Sequence, residues 1–164
     1  YQMIIFEGAQ GLLLDQNLPD KEHTTPSNTG VKNIITILEK SDIKRFRIEA
    51  CYVTRTYITR NGDGELPNAC SKEEINADMF DETNTPNDYQ GTLRYAKLDT
   101  KALQGRIALD VYDLSREYPS IVEATVAVTH NNELDIASDV LKETTRYGYI
   151  SDGKTRTSVI AVED

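Results

Sequence analysis

The spacing of apolar and polar positions predicts alternating strands and helices along this chain. Residues 3–6 form an uninterrupted apolar run that stops at a two-glycine turn over residues 7–11, which is typical of a strand buried on both faces. Apolar residues recur at helical spacing in Val31–Glu39 and in Thr100–Glu117, so both segments are predicted to be helices. Residues 46–58 are rich in β-branched and aromatic side chains and predict one long strand.

The second half of the chain continues this alternation with shorter elements. Residues 121–128 predict a buried strand, residues 135–143 a helix, and residues 147–150 and 156–162 two further strands. Alternation of this kind predicts an α/β fold, with a largely parallel sheet flanked by helices in layers. The whole chain of 164 residues is predicted to form a single domain.

Local signals mark the ends of two helices and the position of two loops. Asn28 or Thr29 is predicted to cap the helix that begins at residue 31. Residues 71–74 have the form of a capping box, which predicts a short helix reaching about Met79. Residues 15–30 and 81–91 are rich in turn-forming residues and predict loops.

The turn at residues 7–11 has the features of a ligand-facing strand exit. In parallel sheets, ligands bind just beyond the carboxyl ends of the strands. Gly8 and Gly11 would let the backbone approach a ligand, and the Gln10 carboxamide offers both a donor and an acceptor. The alternative is an ordinary exit from a strand into a loop.

Composition narrows the function classes. A net charge of −9 argues against a nucleic-acid-binding protein, because nucleic acids attract basic surfaces. No apolar run is long enough to span a membrane and no signal-peptide pattern is present, so we expect a cytoplasmic location. The two cysteines are too few for a disulfide framework, no metal-binding spacing appears, and Cys51 is predicted to be a small core residue.

One motif match is rejected on its context. Residues 148–155 satisfy the phosphate-loop pattern GxxxxGK[ST]. That loop works because a helix begins at its end and directs backbone amides at the phosphate. The residues after Thr155 are β-branched and predict a strand, so the segment is not expected to bind phosphate in that way.

Six segments, in order, resemble motifs of the adenylosuccinate synthetases. The family patterns are FEGAQGxLLD, TSSNT, YxTRVGxGPFP, TTGRxRRxGWLD (shortened here), LTKLD and STGP. The corresponding segments of this chain are residues 6–15, 25–29, 57–67, 91–99, 128–132 and 151–154, the last followed in both by an Arg-Thr pair. The order of all six pieces identifies the chain as the C-terminal portion of a compact, divergent member.

The resemblance implies a ligase that joins aspartate to the C6 position of IMP at the expense of GTP or ATP, with Mg²⁺. The phosphate loop, the carboxylate base and the histidine acid of this reaction belong to the family's N-terminal half, which this sequence does not contain. The fold implied is that of phosphate-loop NTPases without the phosphate-loop part. No catalytic residue is therefore expected here, and the 164-residue chain alone is expected to be inactive.

The resemblance also implies a role for individual loop residues. The purine nucleotide is expected at Gln10, Thr25, Arg60 and Asn61. Aspartate is expected at Thr92 and Arg94, because an arginine fork binds a carboxylate bidentately. The base of the nucleoside triphosphate is expected at Thr129, His130, Asn132, Ser151, Gly153 and Lys154.

Two departures from the family motifs leave the nucleotides open. Asn132 stands where the family has an aspartate that accepts hydrogen bonds from guanine, and His130 replaces a lysine that covers the base. Selection of guanine through a carboxylate at that position is lost, which leaves ATP open beside GTP. The alternatives are a 2-aminoadenylosuccinate synthetase acting on dGMP with ATP, and a non-catalytic nucleotide-binding or assembly module. Members of the family commonly form homodimers, so a dimer is a further expectation.

Overall fold

The computed structural model describes residues 3–18, 23–43, 45–79, 91–117, 122–145 and 147–163. The chain divides into two compact units. The first comprises Tyr1–Ala50 with Gly105–Glu123, and the second comprises Cys51–Gln104 with Ala124–Asp164.

The described residues form short strands and helices joined by loops. The helices are α1 (Val31–Glu39), α2 (Glu73–Asn76), α3 (Thr100–Glu117) and α4 (Ala137–Thr144). The strands are β1 (Ile48–Arg55), β2 (Tyr57–Arg60), β3 (Ala69–Cys70), β4 (Arg94–Lys97), β5 (Val122–Thr129), β6 (Tyr147–Ser151) and β7 (Val159–Glu163). No described helix is long and apolar enough to cross a membrane.

A four-stranded sheet has the order β1-β5-β6-β7. Strands β5 and β6 run parallel, with Val126 opposite Gly148, and β7 is antiparallel to β6. The Thr129 hydroxyl donates to the Thr54 carbonyl at 3.1 Å, so β1 and β5 end side by side. The carboxyl ends of β1, β5 and β6 therefore lie at one edge of the sheet. The predicted α/β fold, with a largely parallel sheet flanked by helices, is confirmed.

The predicted long strand over residues 46–58 is wrong, because it breaks at Thr56. This residue is completely buried, and its N–H donates to the Thr129 carbonyl at 3.1 Å. Beyond the break the chain enters a second, antiparallel sheet of order β2-β4-β3. Since the break is made by a contact with β5, the local sequence did not signal it. Cys51, predicted in the core, is exposed because it lies on the outward face of β1.

The predicted first strand is also wrong. Residues 3–6 adopt no strand, and Met3 and Ile5 are 85% and 83% exposed. An apolar run becomes a buried strand only where a neighbouring strand and a covering layer receive it, and the described residues provide neither at this position. The turn over residues 7–11 is consequently not a strand exit.

Helix predictions with strong amphipathic patterns are confirmed. Helices α1 and α3 have the predicted bounds. The capping box lies at the start of α2: the Ser71 N–H donates to Glu74 Oε1 at 3.0 Å, and the Glu74 N–H donates to Ser71 Oγ at 3.2 Å. This helix ends at Asn76, short of the predicted end near Met79. The predicted loop at residues 81–91 lies, except for Gly91, outside the described residues.

The rejection of the phosphate-loop pattern is confirmed. Gly148 is a buried residue inside β6, not the first residue of a loop. Thr155 is followed by a single 3-10 turn, Arg156–Ser158, and then by β7. No helix N-terminus is present there to receive a phosphate, and the strand predicted from residue 156 begins three residues later.

The cap of α1 differs from the prediction. Its first residue is preceded by Gly30, which has no side chain, and neither Asn28 nor Thr29 caps the helix. Asp110 from α3 accepts a hydrogen bond from the Val31 N–H at 3.1 Å, so a residue distant in sequence satisfies the helix end. A Cβ atom at position 30 would lie 2.0 Å from Asp110 Oδ1, which explains the glycine.

We expect Gly30→Ala and Asp110→Ala each to lower the free energy of unfolding by about 1 kcal/mol, the usual loss with a helix cap. In Gly30→Ala, the added methyl group displaces the Asp110 carboxylate from the start of α1. Asp110→Ala removes the same carboxylate. The double variant should therefore lose little more than Asp110→Ala alone. Gly11→Ala is the control, because its Cβ would meet no atom within 4 Å. Urea unfolding compares the four variants with the unmodified chain, and fully additive losses would contradict this cap.

Candidate functional site

The last residue of β5 and the three residues after it, numbers 129–132, form a fixed segment that we call the β5 loop. His130 has a φ of 61°, in the left-handed region that non-glycine residues rarely adopt. Its carbonyl accepts the Thr56 hydroxyl at 3.0 Å, and its Nδ1 lies 2.9 Å from the Thr129 hydroxyl. The imidazole edge packs on the Tyr57 ring, with centroids 5.7 Å apart and planes at 83°. His130 is therefore a half-buried, oriented side chain rather than a loose loop residue.

Asn131 connects the β5 loop to residues 151–154, the β6 loop. Its N–H donates to the Ser151 carbonyl at 3.2 Å, and its Nδ2 donates to Asp152 Oδ1 at 2.9 Å. The same Nδ2 donates to Asp135 Oδ1 at 3.2 Å, while Oδ1 accepts the Ala137 N–H at the start of α4 at 3.0 Å. One carboxamide thus fixes two loops and a helix start.

The sequence prediction named the neighbouring Asn132, which stays a prediction, and did not name Asn131. Asn132 is exposed, and its Nδ2 donates to Glu133 Oε1 of the next residue at 2.9 Å. The only sequence signal for Asn131 is an asparagine between a buried strand and a helix start, a position where Asn commonly bonds to backbone groups.

The β6 loop is tied to itself and exposes its cation. Ser151 Oγ donates to the Gly153 carbonyl at 3.0 Å, and the Asp152 N–H donates to the Ser158 carbonyl at 3.2 Å. A Cβ on Gly153 would lie 2.9 Å from Ser158 Oγ, so the backbone approaches closely there. Lys154 is exposed and forms no ion pair within the described ranges.

Two arginines hold residues 61–67, the β2 loop. Arg94 Nη2 donates to the carbonyls of Gly62 and Gly64 at 2.5 and 3.0 Å. Arg60 Nε donates to the Asp63 carbonyl at 2.8 Å. Both glycines have positive φ, 71° and 97°, which turns their carbonyls toward one donor. The loop is thus shaped around two guanidinium groups.

These two arginines create a local positive site in an acidic chain. Arg60 and Arg94 are directly opposite each other on β2 and β4, and both are half-buried. Neither forms an ion pair with any residue that the structure describes. Like charges placed opposite on a sheet repel, so an anion between or beside them would stabilise the arrangement.

The other polar residues near this loop are either exposed or already paired. Asn61 and Thr92 are exposed. Lys97, the other nearby cation, lies 3.6 Å from the Glu74 carboxylate and is already paired. Arg60 and Arg94 are therefore the anion-binding groups that the described residues offer in the β2 loop.

The loop that carries Thr25 belongs to the first unit. The Thr25 N–H and hydroxyl both donate to the Leu14 carbonyl, at 2.8 and 2.9 Å. Asp15 accepts the Thr29 N–H at 2.7 Å through Oδ2 and the Asn17 N–H at 2.9 Å through Oδ1. Gln10 precedes this loop and is exposed.

The Asp15 carboxylate makes this loop sensitive to acid. Burial alone would raise the pKa of Asp15, but hydrogen bonds from Asn17 and Thr29 outweigh it and hold the pKa below its ordinary value of 3.8. A carboxyl with a lowered folded pKa stabilises the fold above the unfolded pKa, and that contribution is lost as pH falls through the folded value. The loop is thus expected to loosen in acid.

We expect Asp15→Asn to destabilise the chain at neutral pH, and the deficit to shrink as pH falls below about 4. The amide cannot accept both backbone N–H groups as strongly as the carboxylate. Thermal unfolding across this pH range measures the difference. Asp42→Asn is the control, since Asp42 is exposed and accepts no hydrogen bond in the described part of the chain. A deficit independent of pH would contradict the role of the charge.

Metal ligands do not converge in the described chain. No group of three His, Cys, Asp or Glu side chains there is arranged to hold a metal ion.

Comparison with known proteins identifies one family. The family model described as adenylosuccinate synthetase matches residues 1–118, which include the β2 loop and the loop of Asp15 and Thr25. The β5 and β6 loops lie beyond the matched range. No curated protein matches the chain.

Proposed function

The chain belongs to the adenylosuccinate synthetase family, and on that premise we propose that it is the C-terminal part of a ligase joining aspartate to C6 of IMP. The family supports a purine-nucleotide ligase as the kind of function. In the proposal, GTP or ATP drives the reaction, and an N-terminal half of the parent protein together with Mg²⁺ would supply the phosphoryl-transfer chemistry.

The observation that carries the proposal is the arginine pair at the β2 loop. Arg94 uses only Nη2 to hold the loop, and its other N–H groups make no hydrogen bond within the described residues. In the proposal these groups bind a carboxylate of aspartate, for which a guanidinium fork is suited. The hydroxyl of Thr92, near the start of β4, binds the aspartate in addition. By holding the carboxylate, Arg94 orients the amine of aspartate for attack on the purine.

The purine nucleotide is assigned to Arg60 and Asn61 in the second unit. Gln10, in the first unit, is a separate candidate for binding a purine base. The exposed Gln10 carboxamide can donate to and accept from a base edge. The Thr25 hydroxyl proton is engaged by the Leu14 carbonyl, so Thr25 holds the loop after Gln10 in shape rather than donating to a phosphate. Arg60 keeps its terminal N–H groups for an anionic or hydroxyl group of the nucleotide.

The nucleoside triphosphate is assigned to the β5 and β6 loops. Thr129, His130 and Asn132 come from the first loop, and Ser151, Gly153 and Lys154 from the second. The oriented His130 ring offers a flat surface beside the base, and the exposed Lys154 offers a positive charge and an aliphatic stem. Because the proposal assigns the proton-transfer groups to the N-terminal half of the parent protein, the 164-residue chain alone is expected to bind without turnover.

Calorimetric titration of the chain with IMP, dGMP, GTP and ATP tests this function. We expect IMP and one triphosphate to bind, and Arg60→Ala to weaken IMP. Arg47→Ala is the charge-matched control, because Arg47 is already paired with Glu123 on the surface. Preference for dGMP over IMP would favour the 2-aminoadenylosuccinate alternative, and turnover with aspartate by the chain alone would contradict its assignment as a partial site. Binding of none of the four nucleotides would overturn the proposed function.

A further inference from the structure

We infer that Asn61 deamidates spontaneously through attack by the backbone nitrogen of Gly62, and that the new carboxylate weakens anion binding at Arg60 and Arg94. The reaction itself is independent of the proposed function. Its effect on nucleotide binding rests on that function, because Arg60 and Asn61 are assigned to the purine nucleotide.

The dipeptide Asn61-Gly62 has the residue types that this reaction requires. An asparagine side chain can bring its carboxamide carbon to the nitrogen of the next residue and close a five-membered ring. A side chain on that next residue hinders the approach, whereas glycine has none and adopts the widest range of backbone conformations. The family motif has a valine at the position of Asn61, so the reactive carboxamide is a feature of this chain.

Both reacting groups are accessible in the structure. Asn61 is exposed, and neither its carboxamide nor the Gly62 N–H forms a hydrogen bond with any residue that the structure describes. The two residues follow β2 and lie outside its pairing with β4. Gly62 has a φ of 71°, and a Cβ built on it would meet no atom within 4 Å, so the space beside its backbone is open. No hydrogen bond of these two groups within the described chain has to break before the ring closes.

The reaction needs only water and hydroxide from the solvent. The Gly62 nitrogen loses its proton to hydroxide and forms a bond to Asn61 Cγ, while the Cγ–Nδ2 bond breaks and the nitrogen leaves as ammonia after taking a proton from water. Water then adds to one of the two carbonyl carbons of the ring, and the bond from that carbon to the ring nitrogen breaks. The product is aspartate or isoaspartate, and in both an ionised carboxylate replaces a neutral amide.

The arginine pair determines what this new charge does. Arg60 directly precedes Asn61, and Arg94 Nη2 donates to the Gly62 carbonyl at 2.5 Å, so the carboxylate forms next to residues that both guanidinium groups flank. The two arginines are opposite each other on β2 and β4 and form no ion pair within the described residues. A carboxylate at position 61 would compete with an anionic ligand for them and would repel a phosphate group. Deamidation is thus expected to weaken anion binding at the β2 loop.

Peptide mapping by mass spectrometry of the chain after incubation in mildly alkaline buffer is the first test. We expect the mass change from amide to acid to accumulate several times faster at Asn61 than at Asn68, which is also exposed but precedes Ala69. Asn61→Gln should show no such change at position 61 over the same time, because the longer side chain closes a six-membered ring more slowly. Equal rates at Asn61 and Asn68, or no change at Asn61, would overturn the inference.

Calorimetric titration with IMP tests the effect of the charge. Asn61→Asp, which carries the carboxylate from the start, should bind IMP at least about tenfold more weakly than Asn61→Gln. Asn68→Asp is the control for net charge, because the Asn68 carbonyl accepts the N–H of Lys97, at the opposite end of β4 from Arg94. It should bind IMP as the unmodified chain does.

Two results of this titration would overturn the effect inferred for the charge. The first is equal IMP affinity in Asn61→Asp and Asn61→Gln, and the second is an equal loss of affinity in Asn68→Asp. If the unmodified chain binds no IMP, the proposed function fails, while the mass change at Asn61 still decides whether this residue deamidates.

Discussion

Gly148→Ala is expected to lower the free energy of unfolding by about 3 kcal/mol, the upper range for overpacking a core. A Cβ atom at this position would lie 2.6 Å from the Val126 carbonyl oxygen and 2.5 Å from Leu141 Cδ2. The first atom belongs to the backbone of β5 and cannot turn aside, whereas the second belongs to α4. The methyl group must therefore separate two strands and push a helix away from the sheet.

A second glycine gives the matched control for this substitution. Gly105 lies inside α3, and a Cβ there would meet no atom within 4 Å. Gly105→Ala should consequently raise the free energy of unfolding by about 1 kcal/mol through helix propensity. Urea unfolding followed by circular dichroism compares the three proteins. A loss below about 0.5 kcal/mol in Gly148→Ala would contradict the close packing of α4 on β6.

Arg94→Ala is expected to disorder the β2 loop and to weaken aspartate binding by more than about tenfold. The guanidinium is the shared donor for the carbonyls of Gly62 and Gly64, and in the proposal it also carries the carboxylate of the substrate. Its removal leaves Arg60 alone to hold the loop, through the Asp63 carbonyl. Both effects arise from one side chain because loop shape and binding use different N–H groups of the same fork.

Two measurements separate these effects. Hydrogen exchange at residues 61–64 reports the loop, and an NMR titration with aspartate at saturating IMP reports binding. In Arg94→Lys, the amide protons of residues 61–64 should be partly protected from exchange. This variant should bind aspartate poorly, since an ammonium cannot form the planar two-point contact. Arg47→Ala, the surface control, should change neither. Wild-type aspartate affinity in Arg94→Ala would contradict the assignment of this arginine.

Local patterns predicted the elements whose stability is local. Helices α1 and α3 were predictable because apolar side chains recur at helical spacing within each segment, and this pattern can be read from the local sequence. The break at Thr56 was not predictable, because it depends on hydrogen bonds to Thr129 and His130 more than 70 residues away. The strand predicted at residues 3–6 was wrong because a strand needs a partner. These residues have the composition of a buried strand, but no described strand lies beside them.

The same distinction between local and long-range contacts applies to the candidate site. Motif order selected the β2, β5 and β6 loops as candidates, and each of them follows a strand in the structure. It did not predict which side chain within a loop is engaged. Asn131 and Asn132 are adjacent and chemically identical, and only their hydrogen bonds distinguish the residue that connects the loops from the one turned to its neighbour. The Asp110 cap of α1 was hidden for the same reason, because it comes from another helix.

Residue-resolved NMR of the chain with added IMP tests the central claim most directly. If this chain carries the purine-nucleotide part of a ligase site, saturable shift changes will concentrate at the backbone amides of Arg60 and Asn61. Arg60→Ala will reduce the affinity that the Asn61 amide reports, while Arg47→Ala will leave it unchanged. Absence of saturable changes up to millimolar IMP, or changes confined to other residues, would contradict the account.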